Sequence, residues 1–425
     1  MSLLDVQRRT ATQGKNGYKM NTDYMRNGPG LPDQSTAKGR RPAITISVGA
    51  FLAGVMLLSA CGSSNSATTS SANGSSDSAQ SSKLQASLNA LMGQPAFTVP
   101  GPSIDVKSIP ASTRVVVVDD SPAIAPLQAA TAGAIAAAKA AGLKTTLING
   151  GANNTPTDDI RLLEQAVNLH PALVLQVGIV SELEGSGLTY ARQHSVKVIA
   201  VGDDPATAGK PGGGSGPLLA GTASNNDPDS AKALAEYIAA NGPSNAQVGV
   251  INTNDIIEVN DLYNEFQADL KTLCPNCTIK STNVPAANWT TQITPAVNSM
   301  ITANPNLKYL IPIVDGMTPW VAPALSAGNF KGRVITVAGT PGLAMQLVKK
   351  GTYSAEIGTS PTEVGWYAMD AGFRALLKKP LETNPLEPVT FFDTKEMNSR
   401  HLDPSSTQAL YGDAYVAGFK KLWGI

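Results

Sequence analysis

Histidine and cysteine are scarce in this 425-residue chain, three of each, and no His-Glu-x-x-His, Gly-x-Ser-x-Gly or repeated metal spacing occurs. The common zinc-hydrolase and serine-hydrolase signatures are therefore missing. No metal or cofactor is expected, and the chain reads as a binder rather than an enzyme. His170, His194 and His401 are isolated, and the first two fall at the ends of helical patterns, where a polar residue is ordinary. Charge is also sparse, at 15 % of residues, and balanced at 32 Lys+Arg against 32 Asp+Glu. Residues 1 to 60 carry eight basic and three acidic side chains, leaving 24 and 29 in the remainder, net −5. That balance gives no nucleic-acid surface. The Gly-rich stretch Gly209 to Pro217 contains Lys210 but no Gly-Lys-Ser/Thr order, so it is a loop and not a phosphate cradle.

An apolar run from Ala43 to Leu58 follows Gly39, Arg40 and Arg41 and closes on Leu58-Ser59-Ala60-Cys61. Positive charge, a short apolar core and small residues before a cut site make a signal peptide. Sixteen residues are few for a bilayer that needs about 20. Leu-Ser-Ala-Cys resembles the lipobox of bacterial lipoproteins, which implies fatty acylation of Cys61 and cleavage before it. The expected location is the extracytoplasmic face of the cell membrane, held there by lipid on Cys61. Residues 1 to 60 are then a signal peptide with an N-terminal extension, and Met20 and Met25 offer alternative starts. Cys274-Pro275-Asn276-Cys277 supplies only two zinc ligands with no His nearby, so a small structural disulfide between Cys274 and Cys277 is expected.

Gly62 to about Lys83 is almost entirely Ser, Ala, Asn, Thr and Gly, too polar for a core. Residues 61 to 112 are accordingly expected to be a lipidated tether, with a Pro-punctuated transition from 84 onward. From Thr113 apolar runs of strand length alternate with helical patterns: Arg114 to Asp119, Lys144 to Asn149, Ala172 to Gly178 and Lys197 to Gly202. The pattern restarts at Gln247 to Asn252 and continues through Thr278 to Val284, Tyr309 to Val314, Arg333 to Val337 and Tyr353 to Ile357. Fully apolar short strands between helices argue for parallel sheets covered on both faces. Two such arrays make an α/β fold of two doubly wound lobes.

The ordered series Asp119-Asp120-Ser121, Ala172 to Leu175, Lys197 to Asp203, Ala223 to Asn226, Leu310 to Asp315, Val337 to Pro341 and Glu356-Ile357-Gly358 resembles the type I periplasmic binding proteins of ABC importers. The likeness is to their ribose-like sugar-binding branch and runs from about Thr113 to Asp393. It implies two lobes joined by three crossovers, near Thr222 to Asn225, Ile357 to Gly358 and Val389 to Asp393. The N-terminal lobe would hold 113–223 plus 358–391, and the C-terminal lobe 224–357 plus 392–425.

Ligands of open α/β sheets sit outside the carboxyl ends of the strands. The candidate binding residues are therefore Asp119, Asp120, Ser121, Asp203, Asp204, Asn254, Asp255, Trp289, Asp315 and Glu356. Carboxylates accept hydrogen bonds from hydroxyls or amines, and an indole face suits the apolar side of a ring. Capping of the next helix serves equally for Asp120 and Asp204. Trp320 and Trp366 fall in helical patterns and are expected to pack; Trp423 is expected to dock against a lobe. The chain departs from the sugar-binding pattern at Ala338-Gly339, where Asp precedes Gly in that family, and at Asp203-Asp204, where Asp pairs with Arg. The arginine the resemblance places near Leu262 and the aromatics after the first strand are also missing. An anionic ligand is disfavoured by this carboxylate excess.

The function implied is a monomeric substrate-binding protein that captures a small molecule, a sugar, polyol or related compound, and delivers it to an ABC permease. A sensory receptor of the same fold, presenting its signal to a membrane kinase, is the alternative. An extracellular hydrolase using Asp119 and Asp203 would have to show turnover.

Overall fold

The computed structural model describes residues 72–151, 155–202, 218–224, 226–381 and 387–425. Cys61, the apolar run before it, Asp203, Asp204 and Asn225 lie outside the described residues. The described residues belong to one compact unit.

After helix α1 (Ala72–Ala90), the first array comprises β1 (Arg114–Asp119), α2 (Ala125–Ala140), β2 (Lys144–Asn149), α3 (Pro156–Val167), β3 (Leu173–Val177), α4 (Gly185–Gln193), β4 (Lys197–Val201) and β5 (Gly221–Ala223). Its five strands are all parallel, in the order β2-β1-β3-β4-β5. Strand β1 shows why its sequence has no polar alternation. Val115 and Val117 enter the core on one face, and Val116 and Val118 the core on the other. Helix α3 starts where a capping box stops the loop: Thr155 caps the Asp158 N–H, Asp158 reaches back to Thr155, and Pro156 opens the helix.

The second array runs α5 (Asp227–Asn241), β6 (Gln247–Asn252), α6 (Ile257–Leu273), β7 (Thr278–Asn283), α7 (Trp289–Ala303), β8 (Leu307–Pro312), α8 (Thr318–Ala327), β9 (Arg333–Ala338), α9 (Leu343–Lys350) and β10 (Ala355–Gly358). Then come α10 (Pro361–Leu377), β11 (Thr390–Asp393), α11 (Thr394–Ser399), α12 (Thr407–Tyr411) and α13 (Ala414–Leu422). The second sheet has the order β11-β10-β9-β8-β6-β7, with only β10 and β11 antiparallel. These are two α/β lobes with parallel-dominated sheets. Cys274 and Cys277 are joined by a disulfide at the turn between α6 and β7.

Two lobe boundaries differ from expectation. Strand β11, whose first residues were assigned to the N-terminal lobe, pairs with β10 and completes the second sheet. Residues 392–425 do not all stay with that lobe. Leu410 and Tyr411 of α12 sit in its core, but Tyr415, Phe419, Leu422 and Trp423 enter the core of the first lobe beside Trp366, Tyr367 and Phe373 of α10. The aromatic density of this tail, invisible as a lobe preference in sequence, finds its complement only there.

The tether also ends earlier than expected. Leu84 and Leu88, four apart on one face of α1, are buried, and Leu88 lies in the second-lobe core. The Ser81 hydroxyl donates to the Ala240 carbonyl at the end of α5 (2.7 Å). Ile104, Val106 and Ile109 enter the first-lobe core, where the Ile104 and Val106 N–H groups bond the carbonyls of Leu422 and Trp423. A single leucine stripe among Ser and Ala is enough to dock a helix when a complementary face exists, and it reads as low complexity when none is known. Among the described residues the chain thus passes between lobes five times: at 93–97, 223–226, 359–360, 387–389 and 412–413.

Candidate functional site

In both sheets the strand order reverses beside the first strand of the array, between β1 and β3 in one and between β6 and β8 in the other. Loops on either side of such a reversal leave in opposite directions and open a crevice at the strand carboxyl ends. Asp119 ends β1, Asp120 and Ser121 follow it, and Asp315 follows β8, so both reversal points carry carboxylates. Asn254 and Asp255 follow β6 on the other side of the second crevice.

In the first lobe Asp119 is almost fully buried, and burial raises its pKa against the opposing effect of the Thr131 hydroxyl and the Ser121 backbone. Its Oδ1 has no hydrogen-bond partner. Asp120 is half-buried and hydrogen-bonds Asp159 at the start of α3. Burial and the charge of Asp120 push the Asp159 carboxyl up to about 7. The Ser121 hydroxyl donates to the Gly151 carbonyl at 3.3 Å.

In the second lobe Asp315 and Glu356 hydrogen-bond each other, both inside the protein. The Thr340 N–H donates to Asp315 Oδ2 (2.7 Å), and the Gly339 N–H donates to Glu356 Oε1 (3.0 Å). Burial lifts Asp315 to about 6 despite the Thr340 amide, and burial plus the neighbouring Asp315 lifts Glu356 well above the carboxylate range. Glu356 therefore holds the shared proton. Gly339 and Gly358 allow β9 and β10 to come this close, because a Cβ on Gly358 would lie 2.2 Å from the Gly339 Cα. Ala338 pays for the pinch with a φ of 125°, a conformation that L-residues adopt under strain.

Trp289 opens α7 half-buried, its Nε1–H bonded to the Val284 carbonyl at 3.2 Å. Its six-membered ring lies against Gly316, next to Asp315, and meets Trp320 edge-on at 6.3 Å. The structure thus brings Trp289, Asp315 and Glu356 together. Glu356, expected as a ligand contact, has no exposed surface and lies behind Asp315, because β10 points it inward. Asp255 is occupied in joining loops: it accepts the Ala286 N–H at 3.0 Å and the Thr253 hydroxyl at 2.8 Å. The Asn254 N–H donates to Asn283 Oδ1, and the residue is exposed.

Sequence reasoning missed Asp159, Thr340 and the buried pair Gln176–Glu184, whose amide nitrogen and carboxylate oxygen are 2.6 Å apart. A signal existed for two of them: Asp159 doubles the Asp of a capping box, and Gln176 interrupts an otherwise apolar strand. Thr340 had no sequence signal. Among the described residues no group of three or more His, Cys, Asp or Glu could hold a metal ion, and no helix is long and apolar enough to cross a membrane.

Comparison with known proteins adds a family and a fold. The family described as periplasmic binding protein domain matches residues 116–380. No curated protein matches the chain. Among solved structures, an ABC transporter solute-binding protein from Agrobacterium vitis bound with alpha-D-tagatopyranose is similar with a TM-score of 0.61 and 16 % identity, over 71 % of this chain and 100 % of that one. GanP, a glucose-galactose binding protein from Geobacillus stearothermophilus, gives 0.58 and 14 % over 67 % and 98 %. A periplasmic ribose ABC transporter protein from Conexibacter woesei gives 0.58 and 18 % over 70 % and 96 %. At these identities the likeness is one of fold.

Proposed function

Because the chain belongs to the periplasmic binding protein family, we propose that it is a lipid-anchored, extracytoplasmic solute-binding protein that closes two lobes on a small polyhydroxylated molecule and delivers it to an ABC permease. The observation that carries this reading is the pairing of two strand-order reversals, each with hydrogen-bond acceptors at its mouth, on lobes joined by short connections. A ligand spanning both crevices contacts both lobes only when they close, so binding energy is converted into a change of shape that a membrane partner can sense. Asp119, Asp120, Ser121, Asn254, Asp255, Trp289 and Asp315 are the proposed ligand-facing set, with Asp203 and Asp204 on the loop after β4 and Glu356 supporting Asp315. The names of the solved relatives, which refer to tagatopyranose, glucose-galactose and ribose, agree with a sugar or polyol cargo. Leu-Ser-Ala-Cys supports anchoring through Cys61.

The test is a thermal-shift screen of the full chain in detergent against hexoses, pentoses, polyols and amino sugars. A ligand at 100 times its Kd should add about 2.7 kcal/mol to a single-site binder. A folded sample that responds to none of them would refute the reading. Labelled palmitate should enter the wild-type chain in cells and not Cys61→Ser. Deletion of the gene should abolish uptake of the ligand found; loss of signalling with normal uptake would favour the receptor alternative instead.

A further inference from the structure

The arm at 93–97 and the tail at 412–413, two of the passages between the lobes, both lie outside residues 116–380, the part matched to the family domain. They run side by side and fit into one another. Gly412 and Gly418 of the tail leave the room that the arm fills: a Cβ on Gly412 would lie 3.0 Å from the Gln94 side chain, and one on Gly418 would lie 2.1 Å from the Phe97 ring. The Gln94 side-chain amide donates to the Gln408 carbonyl at 3.3 Å, and the Phe97 and Phe419 rings meet edge-on at 4.7 Å. Arm and tail therefore cross from one lobe to the other as a pair.

Each member of the pair is fixed at both ends. On the second lobe the Phe391 N–H donates to the Leu91 carbonyl (3.0 Å), the Gly93 N–H to Glu396 Oε1 (3.1 Å), and the Tyr411 hydroxyl to the Gly339 carbonyl (2.6 Å). On the first lobe the Tyr367 hydroxyl donates to the Thr98 carbonyl (2.6 Å), the Arg374 guanidinium to the Pro102 carbonyl (2.9 Å), and the Ile104 N–H to the Leu422 carbonyl (2.9 Å). Only residues 92–96 separate Leu91 from Phe97, and only 412–414 separate Tyr411 from Tyr415, spans of at most about 20 Å and 14 Å when fully extended. Pro95 fixes its own φ and favours an extended Gln94, which stiffens the arm where it crosses. The other three passages sit together. Pairing of Gly358 with Thr390 keeps 359–360 beside 387–389, and the Asn226 side chain donates to the Glu387 carbonyl at 3.0 Å. The arm lies to one side of them, bonded to β11, the last strand of its sheet. A connection on a rotation axis only twists when two lobes swing apart, whereas one set beside the axis has to change length.

We propose that the arm and the tail form a clasp beside the hinge, which holds the ligand-free protein within a narrow range of opening. Short spans anchored on both lobes leave no slack loop to absorb a wide swing, and the interlocked Gln94, Phe97, Gly412 and Gly418 make the two spans act together. A hinge restricted in this way gives up fewer open conformations when the lobes close. The inference goes beyond the solute-binding reading, because it concerns the resting hinge and its test needs no ligand.

The experiment is double electron–electron resonance on the full chain in detergent, without ligand. The spin labels are carried by p-acetylphenylalanine at Leu183 and Leu343, exposed residues after β3 and β9, one on each lobe. Ketone labelling leaves the cysteines untouched. Gly-Ser-Gly-Ser is inserted between Pro95 and Ala96 and again between Gly412 and Asp413, adding up to about 14 Å to each passage while every anchoring residue stays in place. Wild type should give one narrow distance distribution. The doubly lengthened chain should give a broader one, longer on average by at least about 5 Å, roughly a third of the added reach. Either insert alone should give a smaller shift, because the other passage still holds. Superimposable distributions from wild type and a doubly lengthened chain that melts cooperatively overturn the clasp, and so does a wild-type distribution as broad as that of the lengthened chain. If the double insert does not melt cooperatively, the single inserts decide, and a distribution unchanged in both refutes the proposal. None of these outcomes depends on whether a sugar binds, so the clasp and the solute-binding reading fail separately.

Discussion

Replacing Trp423 by Ala tests whether the C-terminal helix is a structural part of the first lobe. The indole has no exposed surface, lies parallel to Trp366 at 5.4 Å and meets Phe373 edge-on at 4.9 Å. Truncating a buried Trp to Ala costs about 3–5 kcal/mol through lost transfer energy and the cavity left behind. The Nε1–H also donates to Asp370 Oδ1 at 2.7 Å, and Asp370 binds Arg374 at 2.6 Å with both side chains almost wholly buried. Losing that donor leaves a buried carboxylate one bond short, a further penalty of about 1–2 kcal/mol. The expected loss for Trp423→Ala is therefore about 5 kcal/mol, roughly a 10–20 °C drop in Tm at 2–4 °C per kcal/mol for a lobe of this size. Trp423→Phe keeps most of the ring contact and loses only the N–H, so it should cost about 2 kcal/mol. Urea denaturation followed by tryptophan fluorescence and by circular dichroism measures both. A loss below about 1 kcal/mol for Trp423→Ala would show that α13 is not docked where the structure puts it.

Other parts of the molecule make equally definite predictions. Gly365→Ala forces a Cβ to within 2.2 Å of the Ala130 carbonyl oxygen where α10 crosses α2, and should cost about 2–3 kcal/mol by overpacking, read from a denaturant midpoint. Burial lifts Glu363 from 4.5 to about 7. Its folded pKa is raised, so its contribution is full below 4.5 and lost as pH climbs through about 7, and Glu363→Gln should stabilise by up to about 3 kcal/mol at pH 8 and hardly at all at pH 4. An equal offset at both pH values would refute that account. The disulfide between Cys274 and Cys277 closes a very short loop, so reduction should lower stability by no more than about 2 kcal/mol, measured by denaturation with and without dithiothreitol.

Most of the architecture was legible because parallel strands buried on both faces leave a one-dimensional mark. Runs such as Arg114 to Asp119 and Lys197 to Val201 have no polar alternation, and the helices between them carry their own start signals, as Thr155-Pro156 does for α3. Such features are local, and burial on both faces admits few other readings. The candidate site was legible to the same extent: strand ends are known once strands are, so Asp119, Asp120 and Asp315 could be named before any coordinate.

What the sequence by itself determined was thus the succession of strands and helices, the scarcity of metal ligands and catalytic motifs, and the acidic character of the strand ends. Tertiary structure alone decided that Glu356 lies behind Asp315, that Asp159 faces Asp120, and that the arm from 80 to 112 and the helix 414–422 pack onto lobes. These partners lie far apart in sequence, about forty residues for each carboxyl pair and more than three hundred for Ile104 against Leu422. Packing between such distant segments depends on complementary surfaces that exist only after both sheets have formed. No local period or motif in the chain can record it.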